Sequence, residues 1–445
     1  MNKFLLKPLA IMLSLASYSP TIMLSLTSLP SFAVTSSQPQ PVTLTLTIKN
    51  PLPSARTTGE MVELDASSLP GGFLLVTTER GDTLPCQRTY DGKVIFPCPR
   101  MGAKQTIKVK LAAFPADDAT AASATKSQPK VFGRLYPERQ NDFSFENDRI
   151  AFRIYGPETQ RKGERLYGYD IFLKRSAALV LDHLYASQCN REMWNTVGQL
   201  RRLGHRELAE DVYQYGFCYH VDHGEGMDIY KVGQTLGAGT NALISPDGQI
   251  AYPWCFSKAE VLDDGPLRLT VRLTFATTTV AGTEVSEVRT LSIDAGSQMV
   301  RTVVEYSPTL PSGYSPMAAI AVHKENPTAY LIDKERGIIA CDDLGDPDIY
   351  RKKDRAKFDP QKGHTFIGCL MPGATDCRFV SFEKETSGAV GHVIAIAPKD
   401  NTMTYYFGYA WDGNPVSGIA SVEQWQEYLR MFSEQLRQPL KVNRK

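Results

Sequence analysis

Several sequence patterns that identify common enzyme classes are absent from this chain of 445 residues. It has no P-loop, no G-x-G-x-x-G after a strand, no H-E-x-x-H and no G-x-S-x-G. Nucleotide-binding, zinc-peptidase and serine-hydrolase functions therefore lose their main support. No Cys-x-x-C pair occurs, so neither a zinc ribbon nor a thioredoxin-like site is expected. No internal repeat of solenoid or propeller length is evident.

The chain also lacks an excess of charge of either sign. Its 49 Lys and Arg residues face 48 Asp and Glu residues, which gives a formal net charge of +1. No strong field is available to hold nucleic acid or an anionic bilayer non-specifically, and no nucleic-acid partner is expected. A composition of 42% hydrophobic and 22% charged residues is typical of a packed globular protein, here long enough for two or three domains.

Acidic residues are missing from the first 33 positions. Two lysines open this segment, a long uncharged apolar stretch follows, and Ser31 and Ala33 supply the small residues of a cleavage site. Residues 1–33 are therefore predicted to be a secretory signal peptide, and the protein to be exported to the periplasm or beyond. An uncleaved membrane anchor is the alternative, which Pro20 and Pro30 disfavour. Cleavage changes the formal charge from +1 to −1 and leaves no further run of membrane-span length.

All eight cysteines follow this segment, and an even number in an exported chain permits disulfides. Cys86 and Cys98 flank a hairpin-like stretch at residues 90–93, which makes them the best local pair. A chain of this size has no need of disulfides, so free buried cysteine is the competing interpretation.

The hydrophobic pattern predicts an all-β protein. Val42–Lys49 alternates between apolar and Thr side chains, which is typical of a half-buried strand. Short strands of this kind predict a small β-sandwich domain at residues 34–111, and a linker rich in Ala, Asp, Thr, Ser and Pro follows at 112–130. Long alternating strands then fill residues 131–445 without regular intervening helices. They predict a larger antiparallel sheet domain rather than βαβ units.

Two stretches show a helical pattern instead. One lies within residues 177–214 and is expected as a surface excursion between strands. The other is a C-terminal helix at residues 422–437, for which Ser421 is a plausible N-cap. Its apolar side chains recur at helical spacing, and a core-packing role is expected for them: Trp425, Tyr428, Leu429, Phe432 and Leu436.

The strongest candidate for a functional site is the block at residues 219–239. Ionisable side chains are unusually dense there, and Gly224 and Gly226 bracket Glu225, so the backbone is free to turn successive polar groups toward one space. The candidate catalytic residues are Tyr219, His220, Asp222, His223, Glu225, Asp228, Tyr230 and Lys231.

Three interpretations of this block compete. Histidine is suited to proton transfer near neutral pH, with carboxylates to orient it. His220, Asp222 and His223 are also candidate metal ligands, although their spacing matches no standard zinc motif. The third interpretation is a hydrogen-bonded turn with a purely structural role. The sequence requires no cofactor, and a divalent metal stays an alternative.

Candidate substrate-binding residues lie elsewhere in the chain. Arg149 and Arg153 are expected on one face of a strand at residues 149–155, where two guanidinium groups suit a carboxylate. His323 ends an apolar strand, and Trp411 ends an aromatic run that offers ring faces to a sugar. Solvated strand charges, a satisfied core histidine and core packing are the alternative roles.

Several blocks together resemble the secreted bacterial family of domain of unknown function 4861. They are residues 136–139, residues 146–157 and, most specifically, residues 219–239 with their His-Gly-Glu-Gly sequence. The resemblance runs from about Phe132 to the end of the chain. It implies a galactose-mutarotase-like β-supersandwich and a setting among genes for breaking down polysaccharides rich in uronic acids. It implies no defined activity.

The sequence and the resemblance together predict a carbohydrate-active protein whose partner is an acidic glycan. The preferred hypothesis is a lyase that cleaves by β-elimination, with His220 or His223 as base and Tyr219 or Tyr230 as acid. Arg149 or Arg153 would neutralise the substrate carboxylate. Hydrolysis by Glu225 and Asp228 is the enzymatic alternative, and a non-catalytic glycan-binding protein is the other.

Overall fold

The structure, a computed structural model, describes residues 41–345 and 363–444. The predicted signal peptide lies outside these residues, and its cleavage stays a prediction. The predicted all-β sandwich architecture with a C-terminal helix is confirmed, because strands in several sheets make up most of the regular structure.

Seven strands form the N-terminal part of the fold. They are β1 (Val42–Lys49), β2 (Met61–Asp65), β3 (Leu74–Thr78), β4 (Thr83–Leu84), β5 (Gln87–Arg88), β6 (Lys93–Pro97) and β7 (Thr106–Ala113). The first of them has the bounds that the apolar alternation predicts.

Nineteen further strands follow in the central part of the chain. They are β8 (Val131–Tyr136), β9 (Asp142–Asn147), β10 (Ala151–Ile154), β11 (Asp170–Lys174), β12 (Gly226–Met227), β13 (Ala238–Ile244), β14 (Ile250–Ala251), β15 (Phe256–Asp264), β16 (Arg268–Phe275), β17 (Thr278–Val280), β18 (Thr283–Asp294), β19 (Met299–Ser307), β20 (Ser315–His323), β21 (Tyr330–Asp333), β22 (Ile338–Asp343), β23 (Thr365–Leu370), β24 (Asp376–Thr386), β25 (Ala389–Ile396) and β26 (Thr402–Trp411). A last strand, β27 (Lys441–Arg444), ends the described chain.

Helices occupy four regions of the described chain. A short helix α1 (Ala119–Ala124) and α2 (Pro157–Arg161) lie between strands, and α6 (Val422–Arg437) precedes β27. The predicted helical excursion is present as α3 (Leu181–Gln188), α4 (Arg191–Arg202) and α5 (Arg206–Gly216), all between β11 and β12.

The strands build five antiparallel sheets. Two small sheets have the orders β27-β1-β7-β3-β4 and β2-β6-β5. The others are β12-β11-β10-β9-β8, β14-β13-β20-β25-β24, and a nine-stranded sheet β15-β16-β18-β19-β26-β23-β22-β21 to which β17 is added beside β18. Neighbouring strands in the large sheets are mostly close in sequence, which is typical of antiparallel folds.

The two small sheets enclose a core of their own. Inward-facing side chains such as Leu46, Val76, Phe96 and Leu111 are fully buried between them. Met61 and Ile95 belong instead to the main core under the larger sheets. The small sandwich is therefore joined to the rest by apolar packing as well as by the chain.

The C-terminal helix α6 has the bounds that the sequence predicts. Ser421 caps it by accepting a hydrogen bond from the Gln424 amide at 3.3 Å. Trp425 and Leu429 are completely buried against the nine-stranded sheet. Strand β27 then carries the chain to the edge of the first small sheet, where it pairs with β1.

The division into a domain at residues 34–111, a linker at 112–130 and a domain at 131–445 stays a prediction. The structure adds two facts to it. The predicted linker contains α1, and the C-terminal strand β27 belongs to a sheet of the N-terminal sandwich. From Pro41 onward the chain forms one compact unit.

The expected disulfide between Cys86 and Cys98 is not formed, and this prediction is wrong. All eight cysteines are free. The Cys86 thiol donates to the Leu74 carbonyl at 3.1 Å, and the Cys98 thiol donates to the Pro99 carbonyl at 3.3 Å. Each thiol is thus bonded to a backbone carbonyl and not to the other cysteine.

Candidate functional site

The candidate site rests on a polar sheet face that is buried under helices. Side chains alternate along a strand, so Arg153 on β10 and Asp170 on β11 share one face, and the two residues are cross-strand partners. Helix α3 and the segment at residues 217–221 cover this face, with Tyr185 and Tyr219 packed on it. Polar groups on a covered face need hydrogen-bond or ion-pair partners inside the protein, and here these groups pair with one another.

Arg153 is the centre of this arrangement. Its guanidinium, 5% exposed, is bonded to Asp170, lies 3.1 Å from the Asp228 carboxylate and donates to the Tyr219 hydroxyl at 2.9 Å. Tyr155 donates to Asp170 at 2.6 Å and accepts from Arg153 at 3.0 Å. The substrate-binding role predicted for Arg153 is untested, but this guanidinium is already occupied by protein partners.

Burial sets the protonation of the carboxyl groups in this network. Desolvation raises the pKa of Asp170 to about 6, although Arg153 opposes the shift. The pKa of Asp228 is raised for the same reason, against the same guanidinium. Burial raises the pKa of the Tyr219 hydroxyl as well, which keeps the phenol neutral.

His220 lies at the edge of the network and retains access to solvent. Its side chain is 31% exposed, and its Nδ1 lies 2.6 Å from the Asp228 carbonyl. A carbonyl oxygen only accepts, so the neutral ring carries its proton on Nδ1 and leaves the Nε2 lone pair free. Desolvation lowers the pKa of His220 to about 4, and the nearby Arg153 and Arg139 guanidinium groups add to the shift.

Arg139 is a residue that the sequence analysis did not select. It follows β8, is half-buried, and donates from Nε to the Tyr219 hydroxyl at 3.3 Å. Neither of its two terminal nitrogens has a hydrogen-bond partner among residues 41–345 and 363–444. A signal was available, because Arg139 lies in one of the blocks that carry the family resemblance.

The tip of the His-Gly-Glu-Gly block is a structural turn. Asp222 accepts from the Gly224 and Gly226 amides at 2.7 and 3.1 Å and is paired with Arg175. Gly226 has a φ of +123°, and a Cβ there would lie 1.8 Å from the Leu173 carbonyl oxygen, so only glycine fits.

The other side chains of the turn point to separate partners. His223 is exposed, with Nε2 3.1 Å from the Cys218 carbonyl, and the Glu225 carboxylate lies 3.6 Å from His183. His220, Asp222, His223 and Glu225 thus each contact a different partner, and their convergence on one space stays a prediction.

This geometry does not support the metal interpretation. Within the described ranges, no three His, Cys, Asp or Glu side chains come close enough to hold a metal ion. His220 uses Nδ1 on a carbonyl, and Asp222 is committed to Arg175 and two amides.

Tyr230 packs against a second buried pair, His323 and Asp343. His323 Nδ1 lies 2.5 Å from the Asp343 carboxylate, and the Tyr230 ring packs edge-on against His323 at 5.5 Å. Burial alone lowers the pKa of His323, but the Asp343 charge outweighs it and the pKa is raised. Lys231 follows directly in the chain and is half-buried.

Of the candidate substrate-binding residues, Arg149 lies outside the expected strand and Trp411 is buried. Arg149 lies in the turn before β10, with its amide on the Asn147 side chain at 2.8 Å, so it does not share a strand face with Arg153. Trp411 ends β26 but is only 1% exposed, and Arg175 stacks on its ring at 4.8 Å. The prediction of a shared arginine face is wrong.

Residues 48–442 match the family described as domain of unknown function (DUF4861). The chain belongs to this family. The match covers both the small sandwich and the larger sheets, so the two form one family unit.

A curated relative of this family member is "Uncharacterized protein P7" from Formosa agariphila. It is 24% identical over 319 residues, which cover 70% of this chain and 69% of the relative. Its name assigns no activity.

Two solved structures match this chain weakly: an alpha-mannosidase from Enterococcus faecalis, at 8% identity and TM-score 0.47, and a family 38 glycosyl hydrolase protein from the same organism, at 7% identity and TM-score 0.47. Each match covers 91% of this chain but only 46% and 47% of the solved chains, about half their length. In the described part of the family member, no helix is long and apolar enough to cross a bilayer.

Proposed function

We propose that this protein cleaves uronic-acid-containing polysaccharides or oligosaccharides by β-elimination, with His220 as the base. The observation that carries the proposal is a neutral imidazole, held through Nδ1 by the Asp228 carbonyl, in the electrostatic range of the Arg139 guanidinium that binds the adjacent Tyr219. The low pKa keeps this imidazole unprotonated at neutral pH, which a base requires, and a cation in the same region can hold a carboxylate.

A base and a cation are the two groups that β-elimination from a uronate requires. The proton on C5 is acidified by the adjacent carboxylate, and a cation bound to that carboxylate stabilises the charge that develops when the proton leaves. His220 Nε2 takes the C5 proton, the C5–H electrons form the C4–C5 double bond, and the C4–O bond breaks. The leaving oxygen then takes its proton from the imidazolium that the first step forms.

Arg139 fits the carboxylate-binding role better than the arginines expected from sequence. Arg153 is buried and donates hydrogen bonds to Asp170, Tyr155 and Tyr219. In this proposal Arg153 and Asp228 position the base, because Asp228 offers His220 the carbonyl that fixes its tautomer. The hydroxyl of Tyr219 points to Arg153 and Arg139, so it positions those cations rather than serving as the acid.

Paired-carboxylate hydrolysis gains less support from the geometry. Asp228 is 2% exposed beside Arg153, and Glu225 lies on the outer turn beside His183. No described contact joins the two carboxylates. The glycan class is supported by the family resemblance, which implies a setting among polysaccharide-degradation genes, and an exported location is supported by the predicted signal peptide.

The test is a panel of acidic polysaccharides and their oligosaccharides, with product analysis. Elimination produces an unsaturated uronate that absorbs in the ultraviolet. His220→Asn keeps a donor for the Asp228 carbonyl but removes the base, so we expect kcat to fall by about 10²–10⁴. Arg139→Gln is expected to raise KM and lower kcat, while Arg134→Gln, whose guanidinium pairs with Glu138 and Asp182, serves as the matched control.

Two outcomes would refute the lyase. Reducing ends without ultraviolet absorbance would indicate hydrolysis, and binding without turnover would indicate a glycan-binding protein. Full activity of folded His220→Asn would refute the assignment of His220 as the base. For the exported location, N-terminal sequencing of the protein recovered outside the cytoplasm should start at Val34.

A further inference from the structure

A second site is suggested by a cleft of about 750 Å³ on the other side of the fold. Its floor is the outer face of β16, β18, β19 and β26, one wall is the small sandwich, and the other is helix α6. None of the residues of the candidate site lines it. The volume is in the range of pockets that hold organic ligands.

The floor of this cleft is polar in strand after strand. The pairing register aligns Thr270, Ser292 and Arg301 in one row and Arg272, Thr290 and Val303 in the next. The opposite face of the same strands is core, with side chains such as Val271 and Leu291 fully buried. The hydroxyls of Thr270 and Ser292 lie 3.1 Å apart, which makes a row of groups that donate and accept hydrogen bonds.

Most charges along the walls are already paired. Arg268 binds Glu63 at 2.7 Å and Asp294 at 2.6 Å, and Lys93 lies 2.8 Å from Asp91. These ion pairs cancel much of the acidic character that the lining residues suggest. They also tie the small sandwich to the edge of the large sheet.

Arg272 and Arg301 are different, because neither has a salt-bridge partner among the described residues. Arg272 is half-buried and Arg301 is exposed, so both guanidinium groups reach the cleft. Arg272 lies on β16 and Arg301 on β19, with β18 between them, and the two residues belong to neighbouring cross-strand rows. Their backbones are therefore about 12 Å apart. That span exceeds one sugar ring and suits charges on separate residues of a chain.

Aromatic side chains complete the site. Tyr406 on β26 is the cross-strand partner of Arg301, and Tyr90, 51% exposed, stands on the small-sandwich wall. Ring faces favour the C–H faces of sugars, hydroxyl rows favour sugar hydroxyls, and arginines without a salt-bridge partner favour anions.

We propose that this cleft binds an anionic oligosaccharide, with Arg272 and Arg301 contacting carboxylate or sulfate groups on separate sugar residues. Such a site would hold a polysaccharide chain to the protein without taking part in its cleavage. The proposal does not depend on catalysis at His220, since it concerns binding at a separate surface.

The test measures binding by calorimetry to three probes: oligogalacturonate, sulfated dextran and uncharged dextran. We expect the intact chain to bind one or both charged probes, more weakly at high salt, and not the uncharged one. Which charged probe binds distinguishes a carboxylate from a sulfate source. The double variant R272Q/R301Q should lose at least about tenfold in affinity.

Two controls separate this site from the candidate active site. Arg378→Gln removes an exposed strand arginine outside the cleft and should bind as the unaltered chain does. His220→Asn should also keep its affinity, while R272Q/R301Q should keep its turnover of short oligosaccharides. The proposal is overturned if the intact chain binds neither charged probe, or if folded R272Q/R301Q binds normally. Loss of binding only in His220→Asn would overturn it too, yet leave the proposed lyase standing.

Discussion

Acidification should destabilise this protein through His220, and the size of the effect follows from the environment of that side chain. Burial and two nearby guanidinium groups hold the pKa of the folded imidazole at about 4, against an ordinary value of 6.5. The unfolded chain therefore binds a proton on this residue between pH 6.5 and 4, while the folded chain does not. Falling pH through this window favours unfolding.

The magnitude comes from the difference between the two pKa values. Each pKa unit corresponds to about 1.4 kcal/mol, so the full shift has an upper bound of about 3 kcal/mol. Because 31% of the side chain is exposed, solvent screening reduces this figure. We expect the free energy of unfolding to fall by about 1–2 kcal/mol between pH 7 and pH 4 on account of His220 alone.

The assay compares urea unfolding of the intact chain and of His220→Asn at both pH values. Other titrating groups, such as the buried His392 with its pKa lowered to about 3, are common to both proteins and largely cancel. The intact chain should lose more stability on acidification than the variant does. Parallel losses in the two proteins would refute the assigned environment of His220, and with it the neutral base of the proposed mechanism.

Three further predictions concern stability and covalent state. Lys174→Met should lower the free energy of unfolding by about 3–5 kcal/mol, because it strands the fully buried carboxylate of Glu146. Lys334→Met, which breaks an exposed pair, should cost at most about 1 kcal/mol; equal losses in denaturant titrations would contradict this account. Trp425→Ala should cost about 3–5 kcal/mol by leaving a cavity under α6, measured in the same way. Thiol titration of the denatured, unreduced protein should find all eight cysteines, and a lower count would show a disulfide.

The regular elements were largely predictable from local pattern. Strand β1 and helix α6 have the predicted bounds, because each buries one face and its apolar period records that face directly. The strand around Arg153 was placed but made too long, since Asn147 captures the amides of Arg149 and Ile150 and turns the chain there. A hydrogen bond between a side chain and nearby backbone amides leaves no periodic pattern in the sequence.

The candidate site was only partly predictable. The high density of ionisable residues in the block predicted His220 as a candidate. It predicted Asp222 and Glu225 as well, but the turn places these two beside Arg175 and His183. Arg139 was missed because its relation to His220 spans about eighty residues of chain and passes through Tyr219. Spacing along the chain cannot register such a relation.

The sequence by itself determined the all-β class, the family and the block in which a site is to be sought, because apolar alternation and short motifs are local properties. Only the tertiary structure decided which polar groups share a space. It buried Arg153 among carboxylates, held the Nδ1 of His220 on the Asp228 carbonyl, and opened a second polar cleft at Arg272. Charge, solvent access and hydrogen-bond partners act over a few ångströms, and in this fold those distances are set by strands far apart in the chain.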